Sequence, residues 1–327
     1  MLERLRKPWP DHRAERTLGA VSLLVGVVVV AMVVFVATKA WPVFQHNGIG
    51  WLFGGGDLEG EINKMTAATT NPAAAVFHLR AWPLIYGTLL TSAIAVVLGM
   101  TIAVLASVFI VELAPARLGR TVIPMVRLLA SVPSVIYGLI GILVLVPFLG
   151  NHVITTHEKE SVQNVVQLTG AGLAVTAVIL TVMITPIMIA LICEALSSVP
   201  PSWREGAVAL GLNPLRAVRA VTLRAIRPAI VAAAVLASAR ALGEAVMIQM
   251  VSGGKSFAPK PIDGTVFLFE PLRTLASAIV DYRDGLNSPA LGAAVYGFAL
   301  LLLFSAFALS VAGYLVKLPL RKYQTRG

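Results

Sequence analysis

The chain has 327 residues, of which 57% are hydrophobic and 13% charged, with a mean hydropathy of +0.83. A soluble domain carries about 25% charged residues, so an ordinary globular protein is excluded and a polytopic membrane protein is implied. The formal net charge is +10, but the excess lies beside apolar runs, which argues against nucleic acid and for the positive-inside pattern of a membrane protein.

Residues 1–17 form a polar leader with Arg4, Arg6, Lys7, Arg13 and Arg16. Residues 18–38 follow as an uncharged apolar run of the length a bilayer demands. A signal-peptide core runs only about 7–15 residues and further spans follow, so this is read as an uncleaved first helix. The connection 40–81 is rich in Gly, Asn and Thr and holds Asp57, Glu59 and Glu61. Its Trp51 and Phe53 are expected to anchor at the membrane interface. The second span is expected at 84–113, then a basic loop with Arg117 and Arg120. The third, 123–149, contains Ser131-Val132-Pro133-Ser134-Val135-Ile136-Tyr137-Gly138. Pro133 removes a backbone hydrogen bond, and Gly138 and Gly141 allow close helix contact. Such a break is tolerated where the backbone is buried in protein or lines a cavity. Ser131, Ser134 and Tyr137 beside it are candidate neutral donors to a substrate, with plain helix packing as the competing reading. Arg127 is expected to snorkel towards the membrane surface.

His152, His157 and Glu158 lie in the polar loop 151–169, where no spacing matches a metal site and a solvated loop is expected. The fourth span, 170–193, contains Pro186 and ends on the single cysteine, Cys193, whose apolar setting makes it inert. The insertion 194–227 is polar. Pro200, Pro201 and Ser202 start a turn, and 203–210 reads as a short amphipathic helix closed by Gly211 and Asn213-Pro214. Arg216, Arg219, Arg224 and Arg227 then recur at helical spacing. Gly206, Ala207, Ala209 and Gly211 suit close approach by another protein. A basic helix lying on anionic lipid would explain the arginines but not the small residues.

The fifth span, 230–251, is almost wholly apolar yet carries Arg240 and Glu244. At a rise of about 1.5 Å per residue, Arg240 lies about 18 Å beyond Pro228, deep in the hydrocarbon. A charge there costs roughly 2.5–3.5 kcal/mol on insertion scales, so it needs a partner or a wet cavity. Spacing of i and i+4 is expected to put Glu244 on the same helix face, within reach of Arg240. One reading is a structural ion pair that pins helices together. The other is an anion site in which Glu244 holds Arg240 while the site is empty. In the loop 252–288, Gly254-Lys255-Ser256 resembles the end of a phosphate-binding loop. Gln249 stands where that loop requires glycine and no strand precedes it, so nucleotide binding is not expected. No nucleophile, base and orienter are arranged for catalysis. The last span is 289–316, and the tail 317–327 holds Lys317, Arg321, Lys322 and Arg326.

Six spans put both termini on one side. The leader, the 113–122 loop with Arg127 just beyond it, the 194–227 insertion and the tail hold seventeen of the 26 Lys and Arg residues. The other side holds eight, against nine Asp and Glu, and Arg240 is intramembrane. The termini are therefore expected to be cytoplasmic. The fold class is an all-α membrane protein with six transmembrane helices. Its parts are the leader 1–17, a first helix and external loop over 18–83, a core over 84–316 and a cytoplasmic tail.

Glu205-Gly206-Ala207, with Gly211 after three residues, resembles the EAA loop of ABC importer permeases. That pattern reads Glu-Ala-Ala, three residues, Gly, nine residues, then Ile-x-Leu-Pro, and Val221-Thr222-Leu223-Arg224 occupies its end here. Gly206 replaces the usual alanine and Arg224 the usual proline, which leaves open how sharply the chain turns back into the membrane. Tyr86-Gly87-Thr88-Leu89, the 131–138 stretch and Arg240-Ala241-Leu242-Gly243-Glu244 together resemble the PstC-type permease of phosphate ABC importers, over 51–317. The resemblance implies a type I importer permease fold in the cell membrane. It implies a PstA-type permease as partner, two copies of a cytoplasmic ATPase and an external phosphate-binding protein. ATP and Mg would sit on the ATPase, with no cofactor on this chain, which is not itself an enzyme. Glu205, Gly206, Ala207 and Gly211 would belong to a coupling helix that docks in the ATPase, and Arg240 and Glu244 would serve phosphate passage. Phosphate chemistry agrees, because a guanidinium gives paired hydrogen bonds to phosphate oxygens. Two rival functions stay open. One is an ABC permease for sulfate or molybdate. The other is a proton-coupled carrier in which Glu244 titrates, against which the EAA spacing counts.

Overall fold

In hydrocarbon every backbone N–H and C=O must find a partner within the chain, and the long apolar runs here do so as helices. The computed structural model describes residues 12–53, 58–67, 80–162, 167–256 and 258–321. Arg4, Arg6 and Lys7 of the leader, Asp57, and Lys322 and Arg326 of the tail lie outside the described residues. Helix α1 is His12–Asn47, followed by a short turn to Leu52 and by α2, Leu58–Ala67. The second span is α3, Trp82–Leu113, whose last turn widens into a π-turn at Phe109–Leu113. Helix α4, Ala116–Ala130, and α5, Ser134–Val153, follow, then a short α6, Thr156–Val162, and α7, Leu173–Ser197. The 194–227 insertion folds as α8, Pro201–Ala209, and the irregular helix α9, Pro214–Ala225. Then come α10, Arg227–Leu242, α11, Val246–Val251, α12, Leu275–Asp281, and α13, Pro289–Arg321.

Among the described residues five helices are long and apolar enough to cross a membrane, and a sixth span arises if α9 and α10, bent by 65°, are taken as one. Two expected spans are corrected. The third does not run unbroken from 123. Ser131–Pro133 divides it, and the span proper begins at Ser134. The fifth is not one helix either, because Gly243–Ala245 interrupts it.

The centre of the bundle is α7. Its Leu180, Met183, Ile184, Met188 and Ile192 are fully buried, against α3, α4 and α10. The α3 contact is close because Gly99 lacks a side chain: a Cβ there would lie 2.6 Å from Met188 Cε and 3.0 Å from Thr185 Oγ1. Ser107 Oγ, also on α3, donates to Ile189 O of α7 at 3.3 Å. Helix α1 lies outside this bundle and packs on α13. Most of its large apolar side chains are exposed, as a lipid-facing helix requires.

Trp51 corrects another expectation. It is 1% exposed and fills a second core with Phe44 and Phe298, over Gly297, rather than anchoring at an interface. Phe53, at 72% exposed, remains outside.

The Tyr86-Gly87-Thr88-Leu89 stretch has a clear structural task. A Cβ on Gly87 would sit 2.5 Å from the Arg273 carbonyl oxygen, so only glycine lets that part of the 252–288 loop approach α3. Thr88 Oγ1 accepts from the Leu275 N–H at 2.9 Å and donates to Leu84 O at 2.6 Å. The loop is thus pinned to the start of the second span.

Candidate substrate pathway and coupling segment

Helix α10 ends at Leu242, where the Gly243 N–H bonds to Ala239 O at 3.2 Å. Arg240 therefore lies in the last turn, at the end of the helix that favours a cation. Its side chain is partly buried and its Nε is fully buried without a hydrogen-bond partner. Among the described residues Arg240 makes no ion pair. Glu244 is used differently from the expected clasp: its Oε1 accepts from the Met247 N–H at 3.3 Å and caps the start of α11. The i, i+4 geometry holds only along a continuous helix, and the break at Gly243–Ala245 removes it. A buried donor left without an acceptor costs about 1–3 kcal/mol, more when charged, so Arg240 has capacity for an acceptor from elsewhere.

The second break lies beside the first. Helix α5 packs against α11, and a Cβ on Gly138 would lie 2.7 Å from Met250 Sδ and 3.3 Å from Met247 Cα. A Cβ on Gly141 would meet Val251 Cγ1 at 2.6 Å. The expectation that these glycines permit close contact holds. Ser131 and Tyr137 already have protein partners: Ser131 Oγ donates to Leu128 O at 2.7 Å and the Tyr137 hydroxyl to Leu129 O at 3.1 Å. Both bond to carbonyls in the last turn of α4, just before the break at Pro133, which also accept from the Ser131 and Val132 N–H groups. Ser134 opens α5 and is partly buried.

At the other end of α7 stands α8. Gly211, at φ +91°, closes it: the Gly211 N–H bonds to Val208 O at 2.8 Å and the Leu212 N–H to Ala207 O at 3.2 Å. This is the left-handed glycine cap that a β-carbon disfavours. Glu205, Gly206 and Gly211 are exposed and Ala207 is buried. A Cβ on Gly206 would meet nothing within 4 Å, so its smallness serves nothing inside the chain. The sharp return into the bundle comes at Ile226, with Pro228 in the first turn of α10, so the absent proline at 224 is replaced by one further on. Along α8, Arg204 forms a salt bridge with Glu112 of the α3 π-turn.

Two groups escaped sequence reasoning. Glu112 is a lone acid at the end of an apolar span, and its side chain is 4% exposed. Arg273 and Asp281 are 13% and 18% exposed, with Arg273 Nε 2.9 Å from Asp281 Oδ2. The carboxylate lies off the N–H axis, so the contact is Coulombic rather than a directed bond. Arg273 Nη1 donates to Ser256 Oγ at 3.1 Å and to the Tyr282 hydroxyl, while Gln249 of α11 donates to Asp281. These residues come from two helices, α11 and α12, and three loop segments, and no spacing in the sequence signals them. Glu158 is also engaged. Its Oε1 accepts from Thr265 at 2.6 Å and its Oε2 from the Thr155 N–H at 2.9 Å, which holds its carboxyl below the usual carboxylate range. Among the described residues no group of His, Cys, Asp and Glu is placed to hold a metal.

Residues 99–318 match the family described as "Binding-protein-dependent transport system inner membrane component". The chain belongs to that family. Within it the permease is of the PstC type. It is 36% identical over 236 residues to the phosphate transport system permease protein PstC 1 of Mycobacterium tuberculosis, covering 70% of this chain and 68% of that protein. It is 32% identical over 269 residues to the probable phosphate transport system permease protein PstC of Methanocaldococcus jannaschii, covering 81% and 79%. Among solved structures, the permease is similar to a chain of a bacterial alginate ABC transporter crystallised with an alginate-bound periplasmic protein. The TM-score is 0.56 at 16% identity, covering 98% of this chain and 99% of that one. At that identity the likeness establishes the fold, that of an ABC importer permease. The relatives are membrane permease subunits, a non-catalytic role.

Proposed function

We propose that the permease forms half of the translocation pathway of an ATP-driven importer of inorganic phosphate. The observation that carries this reading is Arg240, a half-buried guanidinium in an apolar span, at a helix break, with its Nε buried and unpaired. Phosphate carries one to two negative charges near neutral pH and offers oxygens in the spacing a guanidinium binds. The names of the relatives point to the same anion. Because Glu244 caps α11, Arg240 has no counter-ion to displace among the described residues, and the anion itself would complete its shell.

The rest of the reading follows the family. A homologous PstA-type permease would supply the other half of the pathway, and an external binding protein would deliver phosphate. Two ATPase copies, which hold ATP and Mg, would dock on α8 and its counterpart, with both termini cytoplasmic. The exposed Glu205, Gly206 and Gly211 support α8 as that surface, since small residues with free space above them suit a close protein contact. ATP binding would draw the two coupling helices together and switch the cavity from inward to outward, and hydrolysis would reset it.

The test is phosphate uptake in cells lacking other phosphate carriers, at matched membrane levels. Arg240→Gln is expected to abolish uptake while the complex still assembles, and sulfate or molybdate in excess is expected not to compete in the wild type. Normal uptake by the variant would remove the anion role. Competition by either oxyanion would move the substrate to that class.

A further inference from the structure

Resting on the reading of α8 as the docking surface, we infer that Glu112 and Arg204 form the strut by which movement of α8 reaches the transmembrane bundle. Three observations converge on the pair. First, the Glu112 carboxylate is almost fully buried, at the very end of the second span, and its ionic partner is Arg204 of α8. A carboxylate in that setting needs its cation, so the two elements are held to each other by charge and not only by packing. Second, Glu112 sits on the π-turn Phe109–Leu113, a widened turn that aims the side chain away from the regular helical register. Third, the pair borders a cavity of 140 Å3 with Ser197, Pro201 and Thr222, so α8 is not close-packed against the bundle there. The polar bridge replaces a packed contact.

Beyond Glu112 the path is rigid. Helix α3 is keyed into α7 at Gly99 and bonded to it at Ser107, and α7 packs against α10, which carries Arg240. A packed interface transmits displacement because it cannot deform continuously. Arg204 also stands next to Glu205 in the chain, so the residue that would meet the ATPase and the residue that grips α3 are neighbours. Glu112 and Arg204 are therefore positioning residues: they touch neither the anion nor nucleotide, and their effect runs through α8.

The experiment uses the assembled importer reconstituted in vesicles, with phosphate uptake and ATP hydrolysis measured together. Glu112→Gln and Arg204→Gln are expected to retain the ATPase subunits on purification. They should continue to hydrolyse ATP and lose at least fivefold in phosphate moved per ATP. Arg204→Lys, which keeps the charge, is expected to recover most of that ratio, an outcome a purely packing role would not give. If Glu112→Gln fails to reach the membrane, Arg204→Gln carries the test alone. An unchanged ratio in the glutamine variants would overturn the inference, and so would loss of the ATPase from Arg204→Gln, which would place that residue in the docking surface. Gly211→Trp separates the two levels. It should block docking. If it still binds ATPase and transports, the docking reading itself fails. If it does not, and the glutamine variants keep their ratio, only the strut fails.

Discussion

One substitution, glycine to alanine, is expected to have opposite signs at two positions. At Gly87 the new Cβ would lie 2.5 Å from the Arg273 carbonyl oxygen. That oxygen is backbone, in a loop already pinned by the Thr88 to Leu275 bond, so it cannot swing aside as a side chain would. Relief requires the loop or α3 to move by about half an ångström or more, and overpacking of that kind costs about 1–3 kcal/mol. Taking the upper end and crediting alanine with about 0.5–1 kcal/mol over glycine in a helix leaves a net loss of about 2 kcal/mol. At Gly206 the Cβ meets nothing within 4 Å, so only the helix preference remains and the chain gains about 0.5–1 kcal/mol. The single cysteine supplies the assay. Cys193 is buried, and a thiol-reactive fluorophore in detergent reports its exposure on heating. At roughly 2–4 °C per kcal/mol, Gly87→Ala should unfold about 4–8 °C lower than wild type and Gly206→Ala slightly higher. A midpoint for Gly87→Ala equal to or above wild type would refute the close approach of the loop to α3.

Three further outcomes are expected. Glu244→Gln should keep phosphate uptake within a fewfold of wild type, because glutamine still offers an oxygen to the Met247 N–H, whereas Arg240→Gln abolishes it; equal loss in both would restore the ion-pair reading. Arg273→Met should destabilise the chain by about 1–3 kcal/mol in the same thermal assay, through the lost ionic contact with Asp281 and the lost charged bond to Ser256, and an unshifted midpoint would contradict the pair. Glu158 has its pKa lowered on folding, so its contribution is fully present above the unfolded value and fades as pH falls through the folded one. Protection against hydrogen exchange near Thr265, relative to the intrinsic rate at each pH, should therefore be high at pH 7 and fade as pH falls through the lowered carboxyl value, with Glu158→Gln less protected at pH 7 and converging on wild type in acid. A variant that matches wild type at pH 7 would show that the Thr265 bond holds nothing.

The sequence by itself determined the class of protein, because 57% hydrophobic residues in bilayer-length runs leave helices as the satisfied solution. It also determined the short helix of the 194–227 insertion nearly to the residue, since Pro201, Gly211 and Pro214 act through local backbone geometry that needs no distant partner. The location of Arg240 was legible for the same reason: a charge in an apolar run stands out wherever the run lies. What Arg240 faces was not legible. Gly243 does not by itself dictate a break, and only the packing of α11 on α5 and the tie from Gln249 to Asp281 make the interrupted span preferable to a continuous helix. Trp51 was misread because an aromatic near a span end suits an interface or a core equally, and the choice rested on Gly297, more than two hundred residues away. Arg273, Asp281 and Glu112 were invisible because each acts through a partner that chain spacing does not bring near. Periodicity and composition fix what a segment does with its own backbone and with the solvent. Which side chains meet across the bundle is decided by the packing of helices that are neighbours in space and not in sequence.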